Sequence, residues 1–231
     1  MLLSTLFVSN AFAQDVITED FTALTKDRWT IHGPGLCSGF FIGDHEVKIV
    51  NRLYCFLNAR RTNATTEVEF TSEDRGGKRL YANAFLLVTR CNADPKAASS
   101  FEIPNRLSVR VEFGNGKISL EHIYPDQKTD TVIAHKFVRY RDGKLEVANE
   151  EIKVKDEEEV PALPEGAGVN WYNLKLDDDG KTAVVTFNGI EVIRQEYDVT
   201  KVPGTICGFT CREVGLVNQV MYVRKFVSTA K

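Results

Sequence analysis

The stretch from Val169 to Phe226 decides the fold. It opens Val-Asn-Trp-Tyr-Asn-Leu-Lys-Leu (169–176), Asp-Asp-Asp-Gly-Lys (177–181), Thr-Ala-Val-Val-Thr-Phe (182–187), Asn-Gly (188–189) and Ile-Glu-Val-Ile-Arg-Gln-Glu-Tyr (190–197). Apolar and polar residues alternate on both sides of Asn188-Gly189, the period of a strand with one buried face. A two-residue hairpin needs positive φ at both central residues, and Asn-Gly supplies it at the least steric cost. Asp177 to Gly180 makes the preceding turn. Three antiparallel strands therefore follow one another. Beyond Pro203-Gly204 an apolar run, Thr205 to Thr210, and a last strand, Gln219 to Val227, extend the meander.

The same signals recur upstream. Strands are expected at Phe40 to Ile42, Glu46 to Val50, Leu53 to Ala59 and Thr66 to Thr71. Leu80 to Thr89 is the most apolar and reads as central. Arg106 to Phe113 and Lys117 to His122 form a hairpin about Gly114-Asn115-Gly116. Thr131 to Arg139 and Leu145 to Val154 flank Arg141-Asp142-Gly143. Lys155 to Gly168, acidic at 156–159 and broken by prolines, is a solvated connection. Short strands between Gly, Asn and Asp turns, with no long helical period, mean an all-β domain. Their number is too large for one flat sheet, so two packed antiparallel sheets are expected. No fixed-period repeat supports a propeller or β-helix.

Composition sets the outer bounds. The chain has 231 residues, 43% apolar and 26% charged, with a net charge of −3. That suits one large domain and gives no basic footprint for nucleic acid. Residues 1–13 read as a signal peptide, because an apolar run ends in Ala11-Phe12-Ala13, a small-x-small cleavage pattern. The mature domain is then 14–231, secreted or periplasmic. No other segment is long and apolar enough to span a membrane. Five cysteines, Cys37, Cys55, Cys91, Cys207 and Cys211, leave one thiol unpaired in a monomer. Cys207 and Cys211, in one strand, would stand about 13 Å apart, too far to bridge. Metal-ligand spacing is absent, so buried thiols or disulfides are expected.

The order of pieces resembles the concanavalin A-like lectin/glucanase superfamily. Glu19-Asp20-Phe21 with Trp29 is similar to its opening. Trp171-Tyr172-Asn173-Leu174, Phe187-Asn188-Gly189-Ile190-Glu191-Val192, Gly204-Thr205-Ile206-Cys207-Gly208 and Val223-Arg224-Lys225-Phe226 are similar to its closing strands. The laminin G-like and 3-keto-disaccharide hydrolase-like branch is the nearest match. The resemblance implies a jelly roll of two curved sheets over Asp15 to Val227, with a sugar chain on the concave face. Trp29 and Trp171 are expected inside it.

Candidate chemistry follows from strand parity. Glycoside hydrolase family 16 carries acidic residues as Glu-x-Asp-x-(x)-Glu on one strand. Here Glu67, Glu69 and Glu73 share parity, but the central Asp is missing, and a solvated strand face explains them as well. The best basic and aromatic cluster is His122 with Tyr124, and His135 with Arg139 and Tyr140; parity sets Tyr140 opposite Arg139. These are the expected ligand contacts, since sugars are bound by flat rings beside hydrogen-bond donors. No cofactor is expected; Asp177-Asp178-Asp179-Gly180 offers a possible structural calcium site or a plain turn. Three functions fit: a carbohydrate-binding protein, a glycan-degrading hydrolase or lyase on the same face, or an adhesion module.

Overall fold

A computed structural model describes residues 15–21, 28–32, 39–43, 45–50, 54–72, 84–92, 105–123, 131–141, 143–153, 162–163, 171–212 and 220–231. The strands are β1 Val16–Glu19, β2 Trp29–His32, β3 Gly39–Gly43, β4 Glu46–Val50, β5 Tyr54–Leu57, β6 Ala64–Ser72, β7 Ala84–Cys91 and β8 Arg106–Glu112. They continue as β9 Lys117–Ile123, β10 Thr131–Arg141, β11 Lys144–Ala148, β12 Tyr172–Asp178, β13 Thr182–Phe187, β14 Ile190–Glu196, β15 Ile206–Arg212 and β16 Val220–Ala230. The first sheet has the order β14-β13-β12-β6-β16-β4-β3, with β1 also paired to β16. The second has the order β11-β10-β9-β8-β7-β15-β5-β2. The two pack as an antiparallel sandwich, the expected all-β architecture.

The hairpins are local and come out as the sequence reads. Asn188 (φ 45) and Gly189 (φ 80) turn β13 into β14. Asn188 Oδ1 also accepts from Asn173 N at 2.6 Å, tying the turn to the next strand. β7 is central in its sheet, and all of its residues are buried. Two expectations need correction. β11 ends at Ala148, short of Val154. The meander also stops at β14, because β15 leaves for the second sheet and β16 returns to the first between β6 and β4. The 3-10 turn Val199–Lys201, capped by Asp198, and the Pro203-Gly204 break carry the chain across. β15 fits only a sheet centre: Cys207, Phe209 and Cys211 face inward, and Gly208 lies so close to β5 that a Cβ there would meet Cys55 O at 1.9 Å.

The core lies between the sheets and is rich in rings. Phe70 of β6 stacks on Phe85 of β7 at 4.0 Å, and Trp29 meets Phe226 edge-on at 5.1 Å, so both contacts cross from sheet to sheet. Glu19, buried at 3%, accepts from Phe21 N and from Trp29 Nε1, which ties these three residues of the opening segment together. Trp171 departs from expectation. It is half-buried, follows the outward parity of Asn173, and lies under the Arg224 guanidinium at 4.5 Å. Arg90 of β7 and Asp178 of β12, both nearly inaccessible, pair at 2.5 Å and join the sheets at one end. Asn63 and Tyr197 complete that cluster. Burial and the Asp178 carboxylate push the Tyr197 phenol well above its usual range.

Candidate functional site

Residues directly opposite in an antiparallel pair share a face. The register therefore gives the outer face of the second sheet row by row. One row runs His135, Ser119, Arg110, Leu86, Thr210 and Tyr54; the next runs Val132, Glu121, Ser108, Val88, Gly208 and Phe56. The face divides into two parts. Phe56, Leu86 and Val88 form a small apolar cluster, with Tyr54 stacked on Phe56 at 5.9 Å and 9°. Beside it β8 and β9 carry a polar strip.

Glu121 organises that strip. Its buried carboxylate accepts from Ser119 Oγ at 2.7 Å and pairs with Arg110 Nη2 at 2.9 Å. Arg110 also reaches Glu112 at 4.0 Å, and Asn115 Nδ2 donates to Glu112 at 2.9 Å. Arg106 is 4% exposed; burial lowers its pKa, against the opposing pull of Tyr54, Cys91 and Glu121. Ser108 stands between the two arginines, and its buried hydroxyl has no hydrogen-bond partner among the described residues. The Cα positions of Glu112 and Glu121 are about 13 Å apart along the strand direction. Both carboxylates nonetheless reach the one Arg110 guanidinium, so their oxygens lie much closer together than their Cα atoms.

β10 supplies the accessible part. His135 is exposed and Phe137 half-buried, and their rings meet edge to face at 5.7 Å. Arg139 follows on the same face, its Nε donating to Ile152 O at 3.1 Å. Tyr140 points the other way, as parity requires. Its ring packs on Tyr172 at 6.0 Å and its hydroxyl bonds Asn188. His122 also lies on the inner side, opposite Leu107 of the core, and is 6% exposed; burial and then Lys201 lower its pKa. The structure thus unites His135 and Arg139, and sets Tyr140 and His122 apart from them. Tyr124 lies outside the described residues. Sequence reasoning passed over Arg106, Ser108, Arg110, Ser119 and Glu121. Their signal was available: a polar residue at every second place through Arg106–Glu112, between Leu107, Val109 and Val111 of the core.

The remaining candidates resolve into local partners. Glu67 accepts from Asn173 Nδ2 at 2.8 Å and Glu69 from Arg224 Nε at 2.6 Å, both on β6 of the first sheet, while Glu73 lies outside the described residues. The three carboxylates of Asp177 to Asp179 diverge. Asp177 pairs with Lys231, Asp178 with Arg90, and Asp179 accepts from the backbone of Lys181 and Thr182. No cluster of metal-ligand type occurs among the described residues. Cys55, Cys91, Cys207 and Cys211 are buried, and burial pushes the Cys207 thiol up to about 11. Cys37 and the 1–13 segment lie outside the described residues. No helix among these residues is long and apolar enough to cross a membrane.

No protein-family model matches the sequence, and no curated protein does. Solved structures do. An apo Crh5 transglycosylase superposes with a TM-score of 0.57 at 10% identity, over 93% of this chain and 84% of that one. A prokaryotic β-1,3-1,4-glucanase (lichenase) from a mouse hindgut metagenome gives 0.55 at 9% identity, over 93% and 98%. A Bacteroides ovatus GH16 protein in complex with a G4G4G3G product gives 0.54 at 8%, over 91% and 98%. At such identities the likeness is one of fold. The chain is a sandwich of two antiparallel sheets with the concanavalin A-like jelly-roll fold.

Proposed function

We propose that this is an exported carbohydrate-binding sandwich whose glycan lies on the outer face of the second sheet, along β8 to β10. The observation that carries the reading is the outward series on β10: the Phe137 ring between His135 and Arg139, all on one face. A pyranose packs its C–H face on such a ring, and the flanking side chains hydrogen-bond its hydroxyls. The fold shared with glucanases supports a sugar ligand. Binding without turnover is preferred to hydrolysis for a specific reason. β8, which runs through the middle of this face, presents Arg106, Ser108, Arg110 and Glu112, and Arg110 neutralises both carboxylates near it, Glu112 at 4.0 Å and Glu121 at 2.9 Å. An acid pair needs two carboxyl groups across one bond, one of them protonated.

A glycan array followed by product analysis of every hit tests this. The expected result is a bound glycan recovered intact. Phe137→Ala and Arg139→Ala should each weaken binding about tenfold, the worth of one good ring or charged hydrogen-bond contact, with the thermal midpoint within a few degrees of wild type. Shortened or unsaturated products would make the protein an enzyme on the same face. The absence of any glycan ligand would leave an adhesion module.

A further inference from the structure

The geometry points to an acidic glycan, held through its carboxylate or sulfate groups by the outer face of β8 to β11; this rests on the carbohydrate reading above. The register sets six cationic side chains on that face, Arg106, Arg110, Lys117, Arg139, Arg141 and Lys144. Against them stand three carboxylates, Glu112, Glu121 and Glu146. The described face is thus positive, although the chain as a whole carries −3. Every one of these carboxylates is already engaged inside the protein. Glu121 is held by Arg110 and Ser119, Glu112 by Asn115 with Arg110 at 4.0 Å, and Glu146 by Arg141 at 3.6 Å. Arg106 and Glu121 are buried and Arg110 is paired, so a ligand meets Lys117, Arg139, Arg141 and Lys144, which outnumber the accessible carboxylates Glu112 and Glu146.

The placement of that charge also matters. Lys117 stands directly opposite Phe137 on the neighbouring strand, about 4.8 Å away between backbones. Arg139 lies two residues along β10, about 7 Å from Phe137. A sugar ring stacked on Phe137 therefore has a cation beside it and another ahead of it. Lys117 and Lys144 have no ion-pair partner among the described residues. A neutral glycan would use none of this charge. A polymer with an anionic group on successive sugars engages the accessible cations Lys117, Arg139, Arg141 and Lys144, and the ring selects sugars over other polyanions.

The test uses matched polymers against the full protein: dextran sulfate with dextran, and polygalacturonate with its carboxyl-reduced form. The acidic member of at least one pair should bind at least about tenfold more tightly than its neutral partner, and binding should weaken as salt rises. The pair that discriminates identifies sulfate or carboxylate as the recognised group. Lys117→Gln with Arg139→Gln should abolish the preference, and Phe137→Ala should weaken acidic binding with the thermal midpoint unchanged. Equal binding of neutral and acidic partners would overturn the inference and leave carbohydrate binding standing. Failure of all four polymers together with an empty glycan array would overturn both. Duplex DNA bound as tightly as the acidic glycan, with no effect of Phe137→Ala, would make the face a general anion surface and would also overturn the inference.

Discussion

Backbone conformation and proton affinity are decided residue by residue, and each gives a test. At Gly189, φ is 80 and an added Cβ would meet nothing within 4 Å. Gly189→Val should then cost only the left-handed strain, about 1–2 kcal/mol, read as a lower urea midpoint; an unchanged midpoint would refute the hairpin geometry. His122 is held neutral by burial, its pKa below the usual 6.5. The unfolded chain therefore takes up a proton first as pH falls. The stability from neutral His122 is complete above about pH 6.5 and is lost as pH drops toward the lower folded value. His122→Gln should flatten the fall in thermal midpoint between about pH 7.5 and about pH 5, and an identical pH profile would refute the burial. His122 also shows where sequence reading runs out. Alternation tells which residues share a face. It does not tell which face meets water, and only the pairing with Leu107 does so.

Elements were legible in proportion to how local their partners are. β12 to β14 are joined by tight turns whose residues specify them, so their pairing can be read directly. β15 has partners from β5 and β7, far away in sequence, and its apolar run suits either sheet. The polar strip on β8 and β9 was hidden for the same reason, since Arg106–Glu112 becomes a surface only when β7 and β9 flank it. The join between β7 and β12 is testable. Asp178→Asn leaves Arg90 buried beside a neutral amide and should cost about 3–5 kcal/mol. Arg90→Met combined with Asp178→Leu should cost less than either single change, because no charge is then stranded. Additive losses in urea denaturation would contradict that coupling. In β15, Gly208→Ala should destabilise more than Gly189→Val despite adding fewer atoms, because the new methyl meets the Cys55 carbonyl.

At the scale of the whole molecule the two tryptophans report on different surfaces. Trp29 is 3% exposed and meets Phe21, Phe209 and Phe226. Trp29→Ala should cost about 3–5 kcal/mol, because it removes a ring shared by both sheets. Iodide should quench Trp171 and spare Trp29; equal quenching of both would contradict the packing. A last consequence follows from the pairing of β1 with β16. Val16 lies opposite Thr229, and Ala230 N donates to Asp15 O, so both strand ends leave the sandwich side by side. A force pulling residue 15 away from residue 231 would load these bonds one after another, as in opening a zip, instead of all at once in shear. β1 would peel away at low force while β16, clamped between β6 and β4, kept the sheet whole. Anchored by those ends to a surface under flow, the domain would lengthen by one short strand and keep the outer face of its second sheet intact.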